Sequence, residues 1–123
     1  MKIYIGHSRD MDYIDDLYEP IREYEKGTDH IFILPHENNS KDWHGRDFYN
    51  NLDIFIAEVS LSTTGLGIEL GWAYDSNIPI YCIYKKGQKI SSSLRSVTDN
   101  FFEYETSVDL IDKIKLIINE NDK

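Results

Sequence analysis

The residues most capable of chemistry lie in one stretch, from Asp53 to Gly71, which reads DIFIAEVSLSTTGLGIELG. It begins with apolar residues typical of a buried strand, continues through a loop of small residues and is predicted to enter a helix at two glycines. Because the first turn of a helix presents backbone N–H groups without partners, this arrangement suits an anion such as phosphate. Glu69 is the only carboxylate in the opening turns of that helix. We therefore expect a pocket for a polar, phosphorylated small molecule with an acidic group directed at it.

Three other segments follow predicted strands, and parallel strands would bring them to the same edge of a sheet as this loop. Gly6-His7-Ser8-Arg9 combines a glycine, which permits close approach of a ligand, with an arginine whose planar donors suit phosphate. Ser91-Ser92-Ser93 offers hydroxyls at the start of a short helix. A polar surface loop and an ordinary helix cap would explain these two segments as well, because short motifs of this kind are common.

The third segment, Pro35-His36-Glu37, raises the question of a metal site, since His7 and His44 could converge on the same edge. We expect no metal, because zinc sites show a recognisable ligand spacing that this set lacks. Asp47 precedes the third predicted strand and Glu58 lies near its end, so either could reach the same edge as a partner carboxylate. We favour a structural role for Glu58 as an acceptor for backbone donors of the next loop. The loop also lacks the glycine and lysine spacing of dinucleotide and P-loop motifs, which disfavours ATP hydrolysis.

The composition is that of an acidic, folded chain. With 41% hydrophobic and 13% aromatic residues, we expect residues 1–123 to form a single domain with a packed core. The net charge of -9 argues against binding of a nucleic acid polymer, which needs clustered Lys and Arg, but not against a single nucleotide. No apolar run approaches the roughly 20 residues of a membrane span, and the N-terminus is too polar for a signal peptide. We expect a cytoplasmic protein that does not bind membranes.

Apolar runs alternate with amphipathic segments along the whole chain. Strands are predicted at Lys2–Gly6, His30–Leu34, Asp53–Val59, Ile78–Tyr84 and Phe101–Tyr104. Helices are predicted between an Asp12 cap and Gly27, over Gly65–Ser76 and Ile90–Val97, and after a Thr106 or Ser107 cap, and Arg46–Leu52 is predicted to form one or two helical turns. Pro20 should kink or split the first helix near Asp16–Glu19, and residues 36–45 should form a polar loop. This alternation predicts an α/β fold, a flavodoxin- or Rossmann-like open parallel sheet of about five strands with helices on both faces.

The stretch from Asp53 to Gly71 resembles the signature of the nucleoside 2-deoxyribosyltransferase superfamily. It is most similar to the 2'-deoxynucleoside 5'-monophosphate N-glycosidase branch, where a strand ends in Ala-Glu-Val and a polar turn leads to Gly-x-Gly-x-Glu-Leu-Gly. Here these motifs are Ala57-Glu58-Val59 and Gly65-Leu66-Gly67-Ile68-Glu69-Leu70-Gly71. The loop with Gly6 and Arg9 and the segment Ile90–Arg95 match the branch in position, so the likeness covers most of the chain.

The resemblance implies an enzyme without a cofactor that cleaves the base–sugar bond of a (deoxy)nucleoside 5'-monophosphate. Glu69 matches the nucleophile that forms a covalent glycosyl-enzyme intermediate, and we expect it to stay ionised, helped by the helix N-terminus. Asp47 is the nearest match to an acidic residue that aids departure of the base. Ser91 would reach the phosphate held by a neighbouring subunit, which implies a homodimer. The residues expected to bind substrate and phosphate are Gly6, His7, Ser8, Arg9, Thr63, Gly65, Gly67 and Ser91.

The chain also departs from the pattern of that branch. His7 and Thr63 each stand where a serine is favoured. The tyrosine expected on the first strand is displaced: Tyr4 lies one position away, so we expect its side chain to face the other side of the sheet.

Other functions remain open beside the hydrolase. A nucleoside deoxyribosyltransferase would resolve the intermediate with a second base, and a catalytically inactive nucleotide-binding or sensor module would bind without turnover. A receiver-like regulatory domain is disfavoured, because the third strand ends in Glu58-Val59 and not in a phosphoacceptor Asp.

Overall fold

The computed structural model describes residues 1–37 and 46–122. Within these ranges five parallel strands form one sheet in the order β2-β1-β3-β4-β5. The strands are β1 Lys2–His7, β2 Ile31–Ile33, β3 Ile54–Glu58, β4 Ile80–Lys85 and β5 Phe101–Tyr104. The chain moves outward from β1 to β2 and then returns to place β3 on the other side of β1. The carboxyl ends of β1 and β3 therefore border the crevice where ligands bind in open parallel sheets.

Helices connect the strands. A π-helical turn, Ile14–Tyr18, runs directly into helix α1, Glu19–Glu25, so the chain stays helical and changes from π to α where Pro20 was expected to kink or split it. Helix α2, Thr64–Asp75, follows β3, and helix α3, Ser107–Asn121, ends the fold with Thr106 as its N-cap. Two 3-10 helices, Arg46–Asn51 and Ser92–Ser96, precede β3 and β5. The second lies within the short helix predicted for Ile90–Val97.

Two apolar cores cover the two faces of the sheet, as the predicted fold class requires. The core on one face packs α1 and α3 against side chains that include Ile3, Ile5, Ile54 and Ile56. The core on the other face packs α2 and the first 3-10 helix against Tyr4, Phe55 and Ala57, and contains the lone cysteine, Cys82. Because side chains alternate along a strand, neighbouring residues at the strand ends serve opposite faces. The fold class predicted from sequence is confirmed.

Differences from the predicted elements are small and fall at their ends. Strands β2 and β3 are shorter than predicted, β1 extends one residue further, to His7, and β4 begins two residues later and ends one residue later, at Ile80–Lys85. Residues 38–45, which include His44 and most of the predicted loop 36–45, lie outside the described residues. No helix in the described ranges is long and apolar enough to cross a membrane.

Candidate active site

Glu69 lies in the second turn of α2, on the flank of the helix that turns toward the sheet. Thr63 caps this helix, and its hydroxyl accepts a hydrogen bond from the backbone N–H of Leu66 at 3.4 Å. Leu66 and Leu70 anchor the helix in the core, which carries the side chain of Glu69 inward beside them. The carboxyl group thereby meets the hydroxyls of Tyr4, from β1, and Tyr49, from the first 3-10 helix.

Hydrogen bonds offset only part of the desolvation cost of burying the carboxyl group of Glu69. Of the buried side-chain oxygen and nitrogen atoms that the described residues contribute, Oε2 of Glu69 alone lacks a hydrogen-bond partner of normal geometry. Burial raises the pKa of Glu69 above its ordinary value, while hydrogen bonding from Tyr4 and Tyr49 opposes that rise. The net direction is upward, so burial outweighs the hydrogen bonds from the two tyrosines. An unpartnered acceptor in such a place is costly, and it is therefore a candidate for a functional group.

The position of Tyr4 corrects one expectation from the sequence. We expected its side chain to face away from the site, but it lies in the same core as α2, with its hydroxyl beside Glu69. Burial, and then the neighbouring carboxylate, raise the pKa of Tyr4, so the hydroxyl stays protonated and remains a donor. The prediction was wrong because a one-residue offset from the pattern of that branch does not show which face of the sheet α2 covers.

Aromatic packing fixes both tyrosines. The rings of Tyr4 and Tyr49 lie 5.6 Å apart between centroids in an edge-to-face arrangement. Phe55 packs 5.0 Å from Tyr4, and Trp72 of α2 packs 5.9 Å from Tyr49. Tyr49 was not singled out from the sequence, because it lies in a polar segment without a clear periodicity, and no local signal marks it.

The glycines of the site differ in what they do. A Cβ at Gly6 would lie 2.8 Å from both Leu66 Cδ1 and Phe55 Cζ, so this glycine permits α2 to pack closely on β1. That packing explains Gly6 without a ligand. At Gly65 and Gly67 a Cβ would meet nothing within 4 Å, which leaves open space above the first turn of α2. The start of the helix is thus accessible to a ligand.

His7 and Ser8 are used inside the fold. In register with Glu58 on β3, His7 lies on the same face of the sheet as Ile3 and Ile5, opposite Tyr4 and Gly6. Its Nδ1 donates to the Ser8 carbonyl oxygen at 2.8 Å, and its Nε2 lies 2.6 Å from the Tyr18 hydroxyl, which can donate to it. Burial lowers the pKa of His7 to about 4, so the ring is neutral. The His7 side chain is not brought to Glu69.

The other predicted site residues take varied positions. Ser8 is buried and accepts a hydrogen bond from the backbone N–H of Asp10 at 3.0 Å, whereas Arg9 is exposed on the same loop. Asp47 is exposed on the 3-10 helix that carries Tyr49, and no hydrogen bond joins it to Glu69 in the part of the chain that is described. Ser91 caps the 3-10 helix Ser92–Ser96, accepting from Ser93 N–H at 3.3 Å. The substrate roles of these residues stay predictions.

Glu58 has the structural role that we favoured. It is 1% exposed, its Oε1 accepts from the backbone N–H of Ser60 at 2.6 Å, and its Oε2 accepts from the hydroxyl of Tyr104. Both oxygens of this buried carboxylate are therefore partnered, in contrast to Glu69. The contrast separates a structural from a candidate functional carboxylate at the same edge of the sheet.

A cavity of about 310 Å³ opens beside the π-helical turn and α1, and Tyr13, Tyr18, Arg22 and His36 are among its lining residues. Arg22 is held there by Glu37, with its Nη2 2.8 Å from Oε1.

In residues 1–37 and 46–122 no group of three or more His, Cys, Asp or Glu side chains is arranged to hold a metal ion. His7 and His36 pack ring against ring, with centroids 5.2 Å apart.

Comparison with known proteins finds likeness in structure. No family model matches the chain, and no curated protein matches its sequence. Among solved structures it is similar to the CMP N-glycosidase BcmB of Clostridium botulinum, with a TM-score of 0.60 and 20% identity, covering 94% of this chain and 99% of that one. It is also similar to a conserved protein from Enterococcus faecalis V583, with a TM-score of 0.62 and 16% identity, covering 94% and 98%. These likenesses show a shared fold, so a function must be argued from the site.

Proposed function

We propose that this protein is an N-glycosidase that cleaves the base–sugar bond of a (deoxy)nucleoside 5'-monophosphate through a covalent intermediate on Glu69. The observation that carries the proposal is the unpartnered Oε2 of Glu69, buried at the start of a helix whose first glycines leave open space. A carboxylate nucleophile without a hydrogen bond to one oxygen retains a lone pair for attack. The shared fold with a CMP N-glycosidase supports the same reaction class.

The reaction has two steps. Glu69 attacks the anomeric carbon as the bond to the base breaks, and the departing base takes up a proton. Water then attacks the same carbon and gives a proton to the group that protonated the base, which returns the carboxylate of Glu69 and releases the sugar phosphate. Asp47 is our candidate for the proton donor, and it would have to approach the base because its side chain lies in solvent in the free protein.

Phosphate binding is assigned to the open start of α2. Backbone N–H groups near Gly65 and Gly67 and the hydroxyl of Thr63 would hold the phosphate, and the helix dipole favours its charge. Arg9, exposed on the loop after β1, would add a positive charge. We further propose a homodimer in which Ser91 reaches the phosphate bound to the neighbouring subunit.

Chromatography of released base, after incubation with nucleosides and their 5'-monophosphates, tests this function. We expect release from a monophosphate, and we expect Glu69→Ala to lower the rate by at least about 1,000-fold, as loss of a nucleophile does. Glu103→Gln, at an exposed residue of β5, removes the same charge and should leave the rate unchanged. Equal release by wild type and Glu69→Ala would refute the role of Glu69.

Two further observations separate the alternatives. A 2-fluoro-substituted nucleotide, which slows the second step, should add the mass of the glycosyl phosphate to the wild type but not to Glu69→Gln. Formation of a new nucleoside in the presence of a second base would favour the transferase. Saturable nucleotide binding without any released base would favour the inactive binding module.

A further inference from the structure

Tyr49 buries a hydroxyl group as well as an aromatic ring, and packing of the ring does not explain the hydroxyl. It is 1% exposed although it lies in the polar 3-10 helix Arg46–Asn51, and its hydroxyl faces the carboxyl group of Glu69. A phenylalanine would fill the same apolar space without placing a polar group in the core. The hydroxyl is therefore the part of Tyr49 that calls for a separate reason.

Side chains from three elements pack against the ring of Tyr49. Tyr4 of β1 lies 5.6 Å away and Phe55 of β3 lies 6.0 Å away, measured between ring centroids. Trp72, on the same helix as Glu69 and nearly one turn further along, lies 5.9 Å away. The backbone carbonyl of Tyr49 accepts a hydrogen bond from Leu52 N–H at 3.3 Å, which closes the turn. The position of the hydroxyl relative to α2 is thus set by packing and not by a flexible loop.

The carboxyl group of Glu69 meets this hydroxyl together with that of Tyr4. Of the titratable groups in the described part of the chain, these two tyrosines are the ones that act on Glu69. Tyr4 approaches from the sheet and Tyr49 from the 3-10 helix, and the hydroxyl of Tyr4 contacts Tyr49 as well as Glu69. Because Tyr4 has one hydroxyl proton for two acceptors, Tyr49 is the donor whose proton is directed at Glu69 alone.

We propose that Tyr49 is a positioning residue, which holds the carboxylate of Glu69 in its ionised form and in the orientation required for attack on the substrate. This inference rests on the proposed function of Glu69 as nucleophile. Tyr49 does not itself react: its hydroxyl donates to the carboxylate throughout the reaction and keeps its own proton. It acts on the rate through Glu69 and leaves the binding of the nucleotide unaffected.

The variant Tyr49→Phe keeps the ring and removes only the hydroxyl. We expect kcat to fall about 10- to 100-fold, the effect of losing one hydrogen bond to a charged group, with KM changed by less than about 2-fold. The acid limb of the kcat/KM profile should move to higher pH, because the hydrogen bond from Tyr49 opposes the rise in the pKa of Glu69. Tyr74→Phe, at an exposed tyrosine of α2, should leave both the rate and the profile unchanged.

A measurement independent of turnover keeps this inference separate from the proposed function. Carbon-13 NMR of protein labelled at the glutamate carboxyl carbon, assigned by Glu69→Gln, reports the titration of Glu69 directly. We expect its midpoint to move to higher pH in Tyr49→Phe and to stay fixed in Tyr74→Phe. An unchanged midpoint would overturn the inference even if the enzyme is active. A shifted midpoint in a protein that releases no base would uphold the contact and refute the proposed function instead.

Discussion

Replacing Glu69 with glutamine should stabilise the protein at neutral pH while it abolishes turnover. Oε2 of Glu69 is buried without a partner. Such a group costs about 1–3 kcal/mol, and more when it is charged, so the ionised carboxylate costs more than the neutral amide that replaces it. Because the residue as a whole is only half-buried, we take the lower end, about 1 kcal/mol. For a domain of 123 residues this corresponds to an increase in Tm of roughly 3–5 °C. The glutamine keeps the shape of the side chain but carries no charge to desolvate.

The pH dependence of this gain identifies its cause. The pKa of Glu69 is raised in the folded protein, so the folded state binds more protons than the unfolded state just above pH 4.5, and stability falls as pH rises through that region. Glutamine does not titrate, so its advantage should be present at pH 7.5 and small at pH 4, where Glu69 is already protonated.

Urea unfolding monitored by circular dichroism at both pH values provides the assay, with dilute protein because the sequence pI is about 4.7. The matched control is Glu103→Gln, which changes the net charge of -9 by the same amount at an exposed residue. If Glu69→Gln is no more stable than Glu103→Gln at pH 7.5, or if its advantage is equally large at pH 4, the buried carboxylate carries no cost and our reading of the site is wrong.

Two further predictions concern residues around the site. The pKa of His7 is lowered to about 4, so the unfolded state takes up a proton before the folded state does as the pH falls. The free energy of unfolding should therefore decrease by up to about 3 kcal/mol between about pH 6.5 and pH 4. Urea unfolding of His7→Leu should show a smaller decrease, whereas an equal decrease would point to another group. Gly6→Ala should destabilise the protein by about 1–3 kcal/mol, because its Cβ would overlap Phe55 and Leu66. Gly67→Ala, in α2 where a Cβ meets open space, should instead stabilise the protein by about 0.5–1 kcal/mol, because alanine has the higher helix propensity. Thermal melts in which Gly6→Ala is more stable than Gly67→Ala would contradict both expectations.

The fold was predictable because each element carries its own signal. Nearly continuous apolar runs mark β3 and β4, a 3.6-residue stripe marks α3, and Pro20 lies where the π-helical turn changes into α1. These signals are local, and their alternation is sufficient to predict a parallel sheet covered on both faces. The strand order required the structure, since the sequence does not say on which side of β1 the chain places β3.

The candidate site was predictable only in part. Glu69 was found because its loop and helix are contiguous in sequence, whereas Tyr49 contacts it through a turn that has no periodic pattern. The two sides of β1 could have been separated by alternation alone: residues 3, 5 and 7 share one face, so His7 had to lie opposite Gly6. What alternation does not reveal is which of those faces α2 covers, and for that reason Tyr4 was assigned to the wrong side.

At the carboxyl edge of the sheet, the two faces differ in whether their polar groups have hydrogen-bond partners. This difference indicates on which face the chemistry occurs. On the face of α1 and α3, Glu58 is fully partnered, the neutral ring of His7 is hydrogen-bonded to Tyr18 and Ser8, and Lys85 pairs with Asp16 at 2.8 Å. Each of those polar groups is explained by the fold. On the face of α2, a carboxylate oxygen is buried without a partner below an open helix start. Stability would favour a glutamine or a leucine there, so a reason other than stability is needed for Glu69, and reaction with a bound substrate supplies one.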